Sequence, residues 1–360
     1  KFTNQTEVAR LAGLEGWWNG VAAGDLDRDG DLDIVATNFG FNTKYHASAD
    51  HPALLYYGKF GTDKMRLVEA EYEGETLFPV RGKSCSTRAI PHLADKFQTF
   101  HSFALAELDQ IYTKPVIKDA LEFSATTLAS GVFLNDGGGK FDFRELPRLA
   151  QIAPSFGVVI SELDGDGIPD LYLAQNFYNP QPETGRMSGG VSQMLRGRGD
   201  GSFEPVGADS SGLIVGEDAK AACVADLNGD AWPDLLVGSN NGPVRSFINR
   251  GEGRSPGREM IRIGLRGKAG NLDGVGARIT VEHSDGSRQV GEVHAGESYL
   301  AQSSSNFFVG TGARGVTKVE VRWPDGSTSA HQVEAGQDSI LIPQPEASPR
   351  QASAKPVLQR

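Results

Sequence analysis

The chain has 360 residues, 45 of them Gly and 18 Pro, and a formal net charge of −11. That length exceeds one ordinary hydrophobic core, so at least two domains are expected, and Gly, Pro, Asn and Asp clustered beside short apolar runs describe many strands joined by tight turns, an all-β repeat protein. A negative balance with no Lys/Arg stripe excludes a nucleic-acid partner, no polybasic run offers a membrane patch, and with no stretch of about 18 apolar residues nothing spans a bilayer.

The sequence starts at Lys1 with neither an initiator Met nor a leader, which reads as a mature or truncated product whose compartment must be inferred indirectly. Trp17 and Trp18 come first among the notable residues; such a pair packs between repeats more often than it stacks on a sugar. Residues 20–36 then read as a strand, an acidic loop and a second strand, a unit that recurs at 161–174 and 225–238. An eroded fourth loop is expected at 59–64, after the apolar residues 54–57, with one carboxylate, Asp63, and no metal.

Residues 81–130 interrupt the repeat with helix-type spacing, and Pro115 suits a first helical position, so a helical insertion is expected there, either a recognition element or a packing cap. Gly-rich hairpins follow at 134–141 and 195–203, with a shortened copy at 247–253. A strand pair plus a hairpin makes one four-stranded propeller blade, so residues 1–257 are read as β-propeller blades, incomplete at the N-terminal side. Cys85 and Cys223 match no zinc or redox spacing; Cys223 takes the place that Ala22 and Val159 hold in the other repeats, a buried strand position. From residue 258 alternating strands separated by Asp-Gly turns describe a compact β-sandwich-like domain to 343, and the Pro/Ser/Ala/Gln-rich 344–360 reads as a disordered tail.

The acidic loops carry the chemistry. Oxygen ligands on alternate residues, Gly at the sixth place and a carboxylate at the ninth suit Ca²⁺, a hard ion that takes six to eight oxygens and needs the chain to curl around it. The expected ligands are Asp25, Asp27, Asp29 and Asp33 with the backbone carbonyl near Asp31 in the first loop, and Glu162, Asp164, Asp166 and Asp170 in the second. The third offers Asp226, Asn228, Asp230 and Asp234, with Ala231 in place of the turn glycine. Strands, not helices, flank each loop, which removes the EF-hand alternative. Four side-chain carboxylates in each of the first two loops and three in the last equal the whole negative excess, so the acidity belongs to metal sites rather than to a general acidic surface.

At these loops, with Phe156-Gly157 ahead of the second, the chain resembles the FG-GAP/VCBS repeats of integrin-α-type propellers. Its C-terminal part resembles the ASPIC/UnbV domain through Asn271-Leu272-Asp273-Gly274-Val275-Gly276-Ala277-Arg278, Gly296-Glu297-Ser298-Tyr299-Leu300 and Trp323-Pro324-Asp325-Gly326, an architecture similar to that of proteins related to cartilage acidic protein. Two departures are Ala231 and the residues Phe308-Val309-Gly310-Thr311-Gly312, where Gly-Leu-Gly is usual. The resemblance implies calcium in the Asp/Asn loops and secretion. The expected function is a non-catalytic extracellular or cell-surface binding and adhesion module, with an unidentified protein or glycan as partner. The alternatives are a passive structural component and an enzyme of a biosynthetic pathway. Against the enzyme, the seven His form no metal-ligand spacing and no nucleophile elbow or phosphate loop occurs.

Overall fold

The first acidic repeat folds as two short strands, β1 (Val21–Gly24) and β2 (Asp33–Ala36), antiparallel with Gly24 opposite Asp33, so that the acidic residues between them form a closed loop. In this computed structural model, which describes residues 2–251 and 258–346, the same hairpin recurs twice. Residues Ser155–Ser161 (later β9) pair with Asp170–Gln175 (later β10) through Ser161 and Asp170, and Ala219–Ala225 pair with Asp234–Ser239 through Ala225 and Asp234.

Between the first repeat and its own hairpin lies an inserted unit. It consists of β3 (Ala53–Gly58), β4 (Arg66–Glu73), β5 (Thr76–Pro79), the short helices α1 (Lys83–Ala89), α2 (Leu93–Lys96), α3 (Phe100–Ala104), α4 (Leu108–Tyr112) and α5 (Lys114–Lys118), and β6 (Leu121–Ala125). The five helices fall inside the segment expected to be helical, but they belong to a wider unit. β6 returns to pair with β3, giving a sheet of order β5-β4-β3-β6. The inward residues Leu54, Tyr56, Val68 and Ala70 pack against Ile90, Leu93, Phe103, Leu108 and Ile111 of the helical segment. The loop at 59–64 is therefore the β3–β4 turn of this unit and not an eroded blade. On the other face Leu67, Leu121 and Phe123 are 64%, 61% and 55% exposed, a contiguous apolar strip because Tyr57 pairs with both Leu67 and Leu121.

The chain then completes the first sheet with β7 (Gly131–Asn135) and β8 (Phe141–Glu145), in the order β1-β2-β7-β8. The second sheet runs β9-β10-β11-β12, with β11 (Gln193–Gly197) and β12 (Phe203–Val206) as its hairpin. After the helical turn α6 (Ala208–Ser211), the third has β13 (Ala219–Ala225), β14 (Asp234–Ser239) and β15 (Arg245–Phe247). The fourth strand expected here falls partly on 252–257, outside the described residues. Each sheet is an antiparallel meander, and their first strands are neighbours: β1 touches β9, and β9 touches β13. Glycine makes that approach possible. A methyl on Gly157 of β9 would sit 2.7 Å from the carbonyl of Lys220, and one on Gly20 2.2 Å from that of Phe156, so these places accept only Gly.

Two cores hold the three sheets: Val159, Tyr172, Ala222, Trp232 and Val237 between the second and third, and Val35, Val132, Val158, Leu171 and Leu195 between the first and second. Trp17 packs edge-on against Phe39 and Tyr45, with centroids 4.9 and 4.8 Å apart, and Trp18 does the same against Phe133, so both take the packing role. Cys85 and Cys223 are free thiols.

The C-terminal domain has β16 (Met260–Arg266), β17 (Arg278–His283), β18 (Arg288–Glu292), β19 (Phe307–Gly310), β20 (Val316–Arg322), β21 (Thr328–Gln332) and β22 (Ser339–Pro343). They form two sheets, β19-β16-β22 and β18-β17-β20-β21, with β16 and β22 parallel. Alternate residues of both sheets, Ile261, Ile263, Ile279, Val281, Val319, Val321, Ile340 and Ile342, meet in one core closed by Trp323, which is the sandwich arrangement read from the alternation. The expected disordered tail lies, from 347 on, outside the described residues. No helix among the described residues is long and apolar enough to cross a membrane.

Candidate metal centres

All three acidic loops adopt one backbone. Their fourth and sixth residues have positive φ: Arg28 and Gly30, Gly165 and Gly167, Gly229 and Ala231. Within each loop the carboxylate or amide at the third and fifth places accepts from the amide two residues on, as in Asp29 N–H to Asp27, Asp166 N–H to Asp164 and Asp230 N–H to Asn228. This coils the chain so that side-chain oxygens gather on the inside. Ala231 pays for the coil. It holds φ +69° where Gly30 and Gly167 have +95° and +83°, and an L-residue there costs about 1–2 kcal/mol against about 0.5–1 kcal/mol of chain entropy for Gly. Ala231→Gly is therefore expected to raise stability by about 0.5 kcal/mol; a lowered melting temperature would mean that the buried methyl's packing outweighs the strain.

The ninth residue closes each loop. Asp33 accepts from Leu26 N–H at 2.9 Å and from Asn135 N–H at 2.8 Å; Asp170 accepts from Leu163 and Gly197, both at 3.0 Å; Asp234 accepts from Leu227 at 2.7 Å and Asn249 at 2.8 Å. One oxygen thus pins the start of the loop and the other pins the neighbouring strand. These three, expected as ligands, are fully buried and have one hydrogen bond on each oxygen.

Ligand atoms of Asp25, Asp27 and Asp29 lie within 4.8 Å of one another, and so do those of Glu162, Asp164 and Asp166. Burial, with neighbouring carboxylates adding to it, pushes the Asp25 carboxyl up to about 7 and that of Glu162 up to about 8; Asp27 and Asp166 are raised for the same reasons, and Asp170 is held well above the ordinary range. Crowded, poorly solvated carboxylates of this kind are what a divalent cation stabilises. The donors are all hard oxygens, and Asp25 Oδ1, buried, has no hydrogen-bond partner. The residues present therefore fit a calcium ion. Asp31, expected to contribute only its carbonyl, carries its carboxylate beside Gly137 of the next hairpin.

The third loop differs. Asp226 accepts from Gly229, Asp230 and Ala231 amides and forms an ion pair with Arg262 of β16, 2.5 Å from Oδ2. The second is also bordered by guanidinium groups, with Arg196 2.6 Å and Arg258 3.1 Å from Asp164 Oδ2. Among the described residues no ion pair reaches Asp25, Asp27, Asp29 or Asp33. The C-terminal domain supplies several of these partners because it lies on the loops. Val290 N–H donates to Asp25 Oδ2 at 3.0 Å, Arg278 donates to the Gly30 carbonyl, and Arg314 to that of Gly167 at 3.1 Å. Nothing in the sequence marks these contacts, since the arginines stand singly in unrelated strands and turns. His46 and His51 each face a glutamate, Glu71 and Glu75.

Residues 184–237 match the FG-GAP-like repeat, and residues 267–349 match the ASPIC and UnbV family. No curated protein matches the chain. Among solved structures, the chain is similar to a rhamnogalacturonan lyase of Bacillus licheniformis, with 16% identity, 89% of this chain and 51% of the lyase covered and a TM-score of 0.22. It is also similar to the major pilin subunit of Bacillus cereus (8% identity, 85% and 97% covered, TM-score 0.17) and to a biofilm matrix protein of V. cholerae (10% identity, 83% and 62% covered, TM-score 0.15). The chain spans about half the length of the lyase. With strands organised as described and both family matches falling on them, the chain is an all-β protein that carries an FG-GAP-like repeat followed by an ASPIC/UnbV domain, modules of extracellular-type repeat proteins.

Proposed function

We propose that the chain is a secreted, non-catalytic calcium-binding module, its three meander sheets being blades of a β-propeller and its partner an extracellular protein or glycan. The observation that carries the calcium reading is the gathering of Asp25, Asp27 and Asp29 on one loop with no cationic side chain of the described residues paired to them. Glu162, Asp164 and Asp166 support a second ion, held more weakly because two arginines already share Asp164. The third loop, whose first ligand is taken by Arg262, is left out. Sites of this kind in extracellular modules bind at about 10⁻⁴ to 10⁻³ M, which suits millimolar calcium outside cells. The exposed apolar strip of the inserted sheet supports a binding role, since such strips on soluble proteins commonly mark contact surfaces.

Metal analysis of the full chain equilibrated with millimolar calcium tests this reading. Two calcium ions per chain and no stoichiometric zinc are expected, falling to one in Asp27→Ala. A protein that emerges free of calcium would overturn the proposal.

A further inference from the structure

A cavity of about 90 Å³ lies where the C-terminal domain meets the first and second loops. Asp25 and Glu162 of the loops line it together with Gln289, His294, Ser304 and Phe308 of the C-terminal domain. Four polar atoms of these lining residues are buried without a hydrogen-bond partner: Asp25 Oδ1, Gln289 Oε1, His294 Nε2 and Ser304 Oγ. Asp25 is 1% and Gln289 2% exposed, so bulk water does not satisfy them. A buried polar group left unpaired costs about 1–3 kcal/mol. Two of these atoms, the oxygen of the ionised Asp25 carboxylate and the amide oxygen, are acceptors only, and acceptors cannot satisfy each other. What each of them lacks is a donor or a cation.

The backbone brings the strand that carries Gln289 against Asp25. Val290, the neighbour of Gln289 on the edge strand β18, donates its N–H to the other oxygen of the same Asp25 carboxylate at 3.0 Å. We propose that Gln289 Oε1 is a further ligand of the calcium ion held by Asp25, Asp27 and Asp29, so that one ion is shared between the first loop and the C-terminal domain. This rests on the reading of the first loop as a calcium site. Calcium takes six to eight oxygens, Gln carbonyls among them, and three carboxylates with one backbone carbonyl leave places open. The cavity has room for water to fill the remainder. The same domain gives the third loop a guanidinium, Arg262, that pairs with the Asp226 carboxylate; in the first loop its Arg278 goes to the Gly30 carbonyl instead, and the Asp25 carboxylate meets an N–H and no cationic side chain. Coupling follows: if docking supplies a ligand, calcium tightens docking by the same factor.

The experiment is a calorimetric calcium titration of the full chain and of Gln289→Met, Gln289→Glu and Asp27→Ala, with circular dichroism in chelator as the check on folding and small-angle scattering with and without calcium as the measure of docking. Gln289→Met keeps the side-chain length but removes the oxygen, and is expected to weaken the tighter site about tenfold and to loosen the calcium-loaded chain in scattering. Gln289→Glu adds a carboxylate, so it is expected to tighten that site while lowering the melting temperature in chelator, a pair of opposite effects that a packing role does not produce. If Asp27→Ala abolishes the tighter site but both Gln289 variants bind as the wild type does, the shared-ligand inference is overturned and the first-loop reading stands. If Asp27→Ala leaves the titration unchanged, the first-loop reading fails and takes the inference with it. Should Gln289→Met not fold, Gln289→Glu decides: unchanged or weakened calcium binding overturns the inference.

Discussion

Asp170→Ala is expected to destabilise the chain by about 3–5 kcal/mol, a large share of the 5–15 kcal/mol that holds a typical domain folded. Asp170 begins β10, whose six residues are all buried, and its two oxygens accept the N–H groups of Leu163 and Gly197. Alanine leaves both donors without a partner in a place water does not reach, at about 1–3 kcal/mol each, and adds a small cavity. One effect works the other way. Burial and the charges of Glu162 and Asp164 hold the Asp170 carboxyl well above its ordinary pKa, so removing it relieves some repulsion when no metal is bound. The two orphaned amides outweigh that relief, because protonation already softens the repulsion while nothing replaces the acceptors. Asp170→Asn retains one acceptor and is expected to cost less. Asp285→Ala, in an exposed turn where the side chain caps Ser287, is expected to stay within about 0.5 kcal/mol of the wild type. Urea unfolding of the three variants decides the matter; an Asp170→Ala midpoint equal to that of Asp285→Ala would show that the closing carboxylate is not holding the sheet together.

The alternation of acidic residues was enough to find the three loops, because their spacing is local and the strands on either side are regular. The sandwich was equally legible, since β17 and β20 bury every second residue around Ile279, Val281, Val319 and Val321. Spacing could not separate two kinds of carboxylate. Asp27 and Asp33 stand in the same pattern, yet one faces the inside of the loop and the other accepts two backbone amides. The inserted unit was half legible. Its helices follow from Pro115 and the apolar spacing, but β6 pairs with β3 across the whole helical segment, and that distance leaves no local mark at 53–58. The contacts of the C-terminal domain with the loops were not legible at all, because a lone Arg262 or Val290 within an ordinary strand carries no signal until the fold places its guanidinium or its N–H against a carboxylate.

Chelation is expected to lower the melting temperature of the chain by about 5–10 °C, and by more at pH 8 than at pH 5.5. With dissociation constants of about 0.1 mM at the first loop and about 1 mM at the weaker second, and about 2 mM calcium, the sites add about 1.8 and about 0.6 kcal/mol if the unfolded chain binds little, about 2.4 kcal/mol together, at about 2–4 °C per kcal/mol. The C-terminal domain carries no acidic loop of its own, and taken by itself it would melt independently of calcium. The bonds of Val290 to Asp25 and of Arg278 to the Gly30 carbonyl argue instead that its transition moves with the loops. The pH dependence follows from the raised carboxyl groups, about 7 for Asp25 and about 8 for Glu162. Without metal, the folded chain keeps protons that the unfolded chain releases above about pH 4, so its stability falls as pH rises from about 4 to about 8. Calcium needs the ionised ligands and supplies the balancing charge, so its contribution is small at the acid end and full at the basic end. Asp27→Ala should lose the first site's share and Asp285→Ala nothing. Melts in calcium and in chelator at both pH values test the whole chain of argument: a calcium shift that shrinks as pH rises, or one of equal size in wild type, Asp27→Ala and Asp285→Ala, would mean that these loops are not where the ion stabilises the protein.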